Sequence, residues 1–479
     1  MSVLSWIALL GLLYPIGQAV YYLFFHPLRK YPGPKLAACT RLVELYWTFA
    51  GELHLWFKEM HDQYGDVVRV GPNLLVYRTP GAWKEIYGHR HQAKTSMKSP
   101  EFNFHPPSGP TIFNEDDENN SKIRRPLSLG FSDKALRDQE PLVQHYVDLL
   151  LERLHEMVAA DNGPVEMTRW YNYTTFDIIG DLSFGEPFGC LRDKRYHPWV
   201  SIIFDVAVKT FAFGRALMMY PYISWLVGMM LPQDLYRKRV ELLKVSKEKV
   251  DRRLETQTAR PDYITYLTRD KNERRFTKEE LYANADILVV AGSETTATLL
   301  SGFTFYLLKS PPSYKALVKE IRGNFQRQGD ITFQSVAKLQ YLNAALEEGL
   351  RMYPPVPATT IPRLVLNGGA VIEGQFVPGG TSVANTFYSS FRSRSNFTEP
   401  DSFLPERWID TKNPRFASDA RDVVQPFGLA DTEMRVIAAK LLWAFDLSLH
   451  EESSNWDDQK SYFIWQKNPL MVKLVPVHR

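Results

Sequence analysis

From Val3 to Phe25 the chain carries no charged residue and is mostly Leu, Ile, Val, Ala, Trp, Tyr and Phe. As a helix rising about 1.5 Å per residue, this stretch is roughly 34 Å long, enough to cross a bilayer. Pro15 and Gly17 weaken it only slightly, since membrane helices tolerate both. Arg29, Lys30 and Lys35 follow at once, and nothing basic precedes the stretch except the amino terminus. A cleaved leader has a basic start and a shorter apolar core. The stretch therefore reads as a retained single-pass anchor, residues 1–26, and its basic flank places residues 27–479 in the cytosol. Tyr31-Pro32-Gly33-Pro34 is a stiff turn out of the membrane.

The rest of the chain shows no repeat, no low-complexity linker and no second boundary. It reads as one domain, mainly α with small β-sheets. Apolar periodicity predicts helices near 139–160, 168–182, 231–257, 277–309, 312–327 and 336–352. Strands fit Val67–Val70 and Leu74–Tyr77 across a Gly71-Pro72-Asn73 turn, with more strand in 361–386 and Leu470–Val477. Prolines at 311–312, 354–357 and 400–405 mark loops. A hydrophobic share of 44% excludes a disordered chain, and a net charge of +3 gives no case for nucleic-acid binding. Two cysteines, Cys39 and Cys190, cannot build a disulfide framework, which fits a reducing compartment.

Two clusters carry candidate chemistry. The long apolar helix near 277–309 contains Ala291-Gly292-Ser293-Glu294-Thr295-Thr296. Gly and Thr lower helix propensity, and a Thr hydroxyl bonding one turn back bends the helix. The functional reading is a groove where a small ligand meets backbone, beside an acid–alcohol pair that passes protons. The bland reading is a kinked core helix with a satisfied polar turn. The second cluster is Glu348 and Arg351, three apart on one helix face. Arg407, in Pro405-Glu406-Arg407-Trp408, can join them in a buried Glu–Arg–Arg network.

Glu348-x-x-Arg351, then Tyr353-Pro354-Pro355-Val356-Pro357, then Pro405-Glu406-Arg407-Trp408 together resemble the core signature of the cytochrome P-450 family. Ala291–Thr296 resembles that family's oxygen-activating helix. Trp170–Asp181, Phe184–Gly189 and Phe131–Arg137 are similar to its fungal secondary-metabolism branch. The resemblance implies the P-450 fold behind one membrane helix, in the endoplasmic reticulum. It implies haem, electrons from a separate NADPH-dependent flavoprotein reductase, and oxidation of an apolar small molecule such as a terpenoid or polyketide. Carried over, Glu294 and Thr295 would deliver protons to iron-bound dioxygen, and Arg124 and Arg363 would hold the haem propionates.

Two departures stand out. Asn120 sits four residues before Arg124, where the family has Trp or His. The family's loop Phe-x-x-Gly-x-Arg-x-Cys-x-Gly-x-x-x-Ala is cut to Phe427-Gly428-Leu429-Ala430. About ten residues are missing between Gly428 and Leu429, and with them the thiolate ligand. Cys39 and Cys190 lie elsewhere in the chain, and Met434 gives no thiolate, so no metal ligand is assigned. Either the deletion is real and the chain is an inactive pseudoenzyme serving as a membrane-bound binding or scaffold protein, or an exon boundary is misdrawn. A purely structural membrane protein is a third reading, and the retained proton-relay motif speaks against it. Phe211–Leu231, with four methionines and one charge, reads as an interfacial substrate entrance; the alternative is a wholly buried helix, against which Pro221 speaks. Asn119, Asn172 and Asn396 fit the glycosylation pattern, and a cytosolic body leaves them bare.

Overall fold

Apolar residues on every side of the 277–309 helix leave it no water-facing stripe, so it has to run through the middle of the body. A computed structural model describes residues 13–478, apart from 89–95, 100–109, 113–114, 116, 162, 202–213, 221–228, 230–232, 257–261, 269–275, 359–360 and 425–429. In chain order the helices are Lys35–Cys39 (α1), Leu42–Ala50 (α2), Leu53–Tyr64 (α3), Pro80–Tyr87 (α4), Asp117–Leu129 (α5), Asp133–Ala160 (α6), Met167–Phe184 (α7), Cys190–Asp193 (α8), Gln233–Glu255 (α9), Tyr263–Thr268 (α10), Lys278–Leu308 (α11), Pro311–Asn324 (α12), Phe333–Val336 (α13), Gln340–Met352 (α14), Phe387–Phe391 (α15), Glu406–Ile409 (α16) and Ala430–Ala444 (α17). A further helical stretch covers 214–219.

The central helix α11 begins at a capping box. Thr277 Oγ1 accepts from Glu280 N at 3.2 Å, and a Glu280 carboxylate oxygen accepts from Thr277 N at 2.9 Å. It packs mainly along α7 and α14, with α9 and α17 flanking. Gly302 permits the tightest of these approaches. A Cβ there would lie 2.5 Å from a Tyr353 ring carbon, and Tyr353 is itself buried, stacked on Trp465 at 4.6 Å. Pro311 and Pro312 open α12 rather than marking a loop. Their missing N–H groups fall where a helix has no partner to offer.

The sheets are small. β1 (Val67–Gly71), β2 (Leu74–Tyr77), β3 (Ser96–Lys98), β5 (Arg363–Val365) and β8 (Ser382–Asn385) form one sheet in the order β1-β2-β8-β5-β3, with β2 and β8 parallel. β4 (Val165–Glu166), β9 (Phe445–Leu449) and β10 (Met471–Pro476) form a second, and β6 (Ala370–Ile372) pairs with β7 (Gln375–Val377). The expected hairpin across Gly71-Pro72-Asn73 is present as β1–β2.

Residues 1–12 of the expected anchor lie outside the described residues. Residues 13–20 are helical and Tyr21–Phe25 continues as a π turn, with Leu13, Tyr14, Ile16, Phe24 and Phe25 exposed. Among the described residues α11 alone is long and apolar enough to cross a membrane, and it is a core helix. Of Phe211–Leu231, only 214–220 and 229 are described. Arg215, the one charge in that stretch, is buried in an ion pair with Glu44 of α2.

Candidate active site

Although α11 is buried along most of its length, Ile287, Leu288, Ala291, Gly292 and Thr295 stay partly accessible. Their spacing of three and four puts them on one side of the helix. Three neighbouring hydroxyls bond back one turn: Ser293 to Val289 O at 2.6 Å, Thr295 to Ala291 O at 2.6 Å and Thr296 to Gly292 O at 2.8 Å. This is the backbone bonding that bends a helix. The space that a Gly292 side chain would fill is taken by Ile179 of α7, at 2.8 Å. The glycine therefore serves helix packing on that side.

Glu294 and Thr295 are sequence neighbours on different sides. Glu294 is buried and pairs with Lys467, from the loop before β10, whose ammonium also donates to Thr298 Oγ1 at 2.7 Å. Thr298 donates in turn to Glu294 Oε1 at 3.3 Å. Burial pulls the Lys467 pKa below its ordinary value, more strongly than Glu294 raises it. The other carboxylate oxygen, Oε2, is buried with no hydrogen-bond partner. An orphaned acceptor of that kind is a place for a bound water or proton carrier. Lys467 was not a sequence candidate: one lysine in a polar loop has no periodicity to betray its burial.

Glu348, Arg351 and Arg407 are brought together with no exposed surface. Arg351 forks onto Glu348 with bonds of 2.9 and 2.8 Å, and Arg407 Nε reaches the same carboxylate at 3.1 Å. Leu404 N and Trp408 Nε1 complete the Glu348 shell at 2.9 and 2.8 Å. Burial pushes the Glu348 carboxyl up, but Arg351 and then Arg407 outweigh it and hold it below the ordinary range. The spare donors of Arg351 go to Phe391 O and Pro400 O, and Arg407 also pairs with Asp419. Asp419 was likewise not a sequence candidate.

Arg124 is exposed on α5, and Arg363 on β5 lies partly buried, 5.8 Å from the Tyr87 ring centre. The two are linked through neighbours. Lys98, opposite Arg363 across the β3–β5 ladder, donates to Ile112 O at 3.2 Å and Glu115 O at 3.1 Å. Asn120 donates to the same Ile112 oxygen. Asn284 of α11 accepts from Ile112 N at 3.0 Å and donates to Pro110 O at 3.1 Å. Residues 110–112 thus tie α11, α5 and the sheet edge into one frame, and Asn120 spends its amide on backbone.

A family model described as cytochrome P-450 matches residues 32–474. The chain is 45% identical to cytochrome P-450 monooxygenase astJ of Aspergillus oryzae, over 96% of this chain and 94% of that protein. It is 44% identical to cytochrome P-450 monooxygenase atr2 of Stereocaulon alpinum, over 98% and 95%. It is 40% identical to the trichothecene C-15 hydroxylase of Fusarium sporotrichioides, over 97% and 96%. The chain belongs to the cytochrome P-450 family. The secondary-metabolism branch read from Trp170–Asp181 and Phe131–Arg137 fits these fungal relatives.

A P-450 carries haem and ligates its iron through a cysteine thiolate. The residues present do not supply one. Cys39 is half-buried with its sulfur 3.9 Å from Ala19 O. Cys190 is buried, its sulfur accepts from His197 N at 3.4 Å, and burial pushes its thiol up to about 12. At neutral pH that thiol stays protonated. Gln425–Leu429, where the P-450 cysteine loop belongs, lies outside the described residues and contains no cysteine. Just beyond, Met434 is buried within α17. Glu433 keeps some accessible surface, yet surrounding chain strips enough water to push its carboxyl up to about 7. Among the described residues no group of three or more His, Cys, Asp or Glu could hold a metal ion.

Proposed function

We propose that this chain descends from a monooxygenase of fungal secondary metabolism that oxidises an apolar small molecule, of terpenoid or polyketide class, and that as written it forms no haem-thiolate centre. One observation carries the reading: the Glu348–Arg351–Arg407 network is complete and fully buried, while the chain contains no cysteine near Phe427–Ala430. An enzyme body kept in this order beside an in-frame gap fits a misread or recently damaged copy. The complete protein would draw electrons from an NADPH-dependent flavoprotein reductase, with Arg124 and Arg363 on the propionates and Glu294 and Thr295 moving protons. Val3–Phe25 would anchor it in the endoplasmic reticulum with the body in the cytosol.

The alternative, a non-catalytic membrane-bound binding protein, is favoured by the lack of any thiolate donor. Sequencing the transcript across the codons for Phe427 to Ala430 separates the two. A transcript that restores a cysteine loop supports the enzyme, and one that matches the chain as written supports the binding protein. Protein expressed as written should bind little haem and give no thiolate-type band in the reduced carbon-monoxide spectrum. A clear band at near one haem per chain would sink the proposal.

A further inference from the structure

The last carbonyls of a helix need donors from outside it. The helical stretch 13–20 runs into the π turn Tyr21–Phe25, which His26 N closes by donating to Tyr21 O at 2.9 Å. In that register the next carbonyl, Tyr22 O, would accept from the amide of residue 27. Residue 27 is a proline and has no N–H to give. It also bars helical backbone at His26, which is extended, with φ −65° and ψ 141°. Pro27 thus ends the helix and strips Tyr22 O of its helical donor.

The replacement comes from β1, 47 residues on. Arg69 is buried, at 3% exposure, and its guanidinium donates to Tyr22 O at 2.9 Å, to Pro72 O at 2.7 Å and to His26 Nδ1 at 3.3 Å. A buried charge held by neutral acceptors depends on each of them. His26 Nδ1 also accepts from Leu28 N at 3.1 Å, so the ring nitrogen facing Arg69 carries no proton. The backbone is tied at the same place. Arg69 N donates to Pro32 O at 2.8 Å. A Cβ on Gly33, whose φ is +157°, would lie 2.2 Å from Arg69 O, so the departing chain lies directly on β1.

We propose that Arg69 is a latch: its guanidinium replaces the amide that Pro27 lacks and holds the helix ending at Phe25 at one fixed angle to the body. The latch grips the last turn from one side. From another, the Cys39 sulfur of α1 lies 3.9 Å from Ala19 O, and Tyr21–Phe25 packs on α1. A proline turn by itself would let the helix swing. With Arg69 in place, helix and body move as one piece. The stiffness needs no bilayer. Its consequence, a body whose tilt is set by its own joint, rests on the anchored reading of Val3–Phe25.

The test uses the full chain in detergent micelles, with Cys39→Ser and nitroxide labels at Tyr14→Cys in the helix and Glu59→Cys on α3. Both positions are exposed, and buried Cys190 stays unlabelled. Double electron–electron resonance should give one narrow distance distribution for this parent. Arg69→Met removes every guanidinium bond and should at least double the width. Where that variant does not fold, Arg69→Lys serves, because a lysine keeps the charge but cannot fork onto several acceptors; it too should broaden the distribution. A parent already broad overturns the proposal, and so does a folded variant of parental width. Vesicle flotation of the same protein tests the anchored reading separately: protein that stays in the supernatant refutes the anchor and leaves the latch standing.

Discussion

Replacing Lys467 with Met tests the buried pair beneath the Glu294–Thr295 motif. Met keeps most of the lysine stem's volume, so packing is largely retained, while Glu294 loses its cation inside the protein. Glu294 and Lys467 are 2% and 4% exposed, and breaking a pair this deep costs about 3–5 kcal/mol. The carboxyl can escape that cost by taking a proton, which sets a ceiling. Neutralising an ordinary carboxyl of pKa about 4.3 costs about 3.7 kcal/mol at pH 7 and about 1 kcal/mol at pH 5. In the variant the folded state therefore favours the protonated acid. The penalty is full well above that raised pKa and fades as pH falls toward the unfolded value. Urea unfolding of the detergent-solubilised chain, followed by helical circular dichroism, should show a loss of about 3–4 kcal/mol at pH 7 and about 1 kcal/mol at pH 5, relative to the parent. A variant as stable as the parent at pH 7, or a loss that does not shrink at pH 5, refutes the reasoning.

Gly302→Ala drives a methyl group to 2.5 Å from the Tyr353 ring, and overpacking of about 1–3 kcal/mol should lower the melting temperature despite the gain in helix propensity; an unchanged or higher value contradicts the packing. Thiol titration of native protein should find at most Cys39 reactive and both cysteines after unfolding, because burial keeps Cys190 protonated; two fast thiols in the native state would place Cys190 wrongly. Glu433, pushed up to about 7 in the folded state, costs stability progressively as pH rises from its ordinary range through about 7. Glu433→Gln should therefore raise the melting temperature at pH 8 and leave it unchanged near pH 4. Asn172 and Asn396 are buried, Asn396 donating to Arg78 O and Ser390 O at 2.7 and 2.9 Å. Only Asn119 is accessible enough to report topology, and a mobility shift on glycosidase treatment would place the body in the lumen.

Periodicity found the long helices because each buries a broad stripe. α7, α9, α11, α12 and α14 fall within a few residues of the expected bounds. It passed over α2, α3, α5 and α17, for different physical reasons. α2 inverts the usual polarity, so its pattern points the wrong way. α5 is highly polar at its start, and α17 begins at the cut loop. Glu348 and Arg351 were legible because their spacing alone puts them on one face, and Arg407 because its Pro-Glu-Arg-Trp setting is distinctive. Lys467 and Asn284 were not, since each acts through a partner more than 170 residues away, and neither were Asp419 and Lys98, whose loop and short-strand settings carry no helical spacing. Glu294 to Lys467 and Arg215 to Glu44 are contacts that only the folded chain creates.

The same geometry explains how the Glu348 network stays complete beside a shortened loop. Among the described residues the Glu348 carboxylate draws its bonds from Arg351 of α14 and from Leu404, Arg407 and Trp408, and Arg351 closes onto Phe391 and Pro400 carbonyls. None of these partners lies in Gln425–Leu429. The named bonds of Glu348 and Arg351 thus come from segments other than the cut loop, whereas beside that loop Glu433 loses enough water for its carboxyl to rise to about 7. A loop that bears none of these bonds can be shortened without breaking the network. The codons between Phe427 and Ala430 therefore decide between the two proposed readings, and a transcript carrying a cysteine there would favour the enzyme.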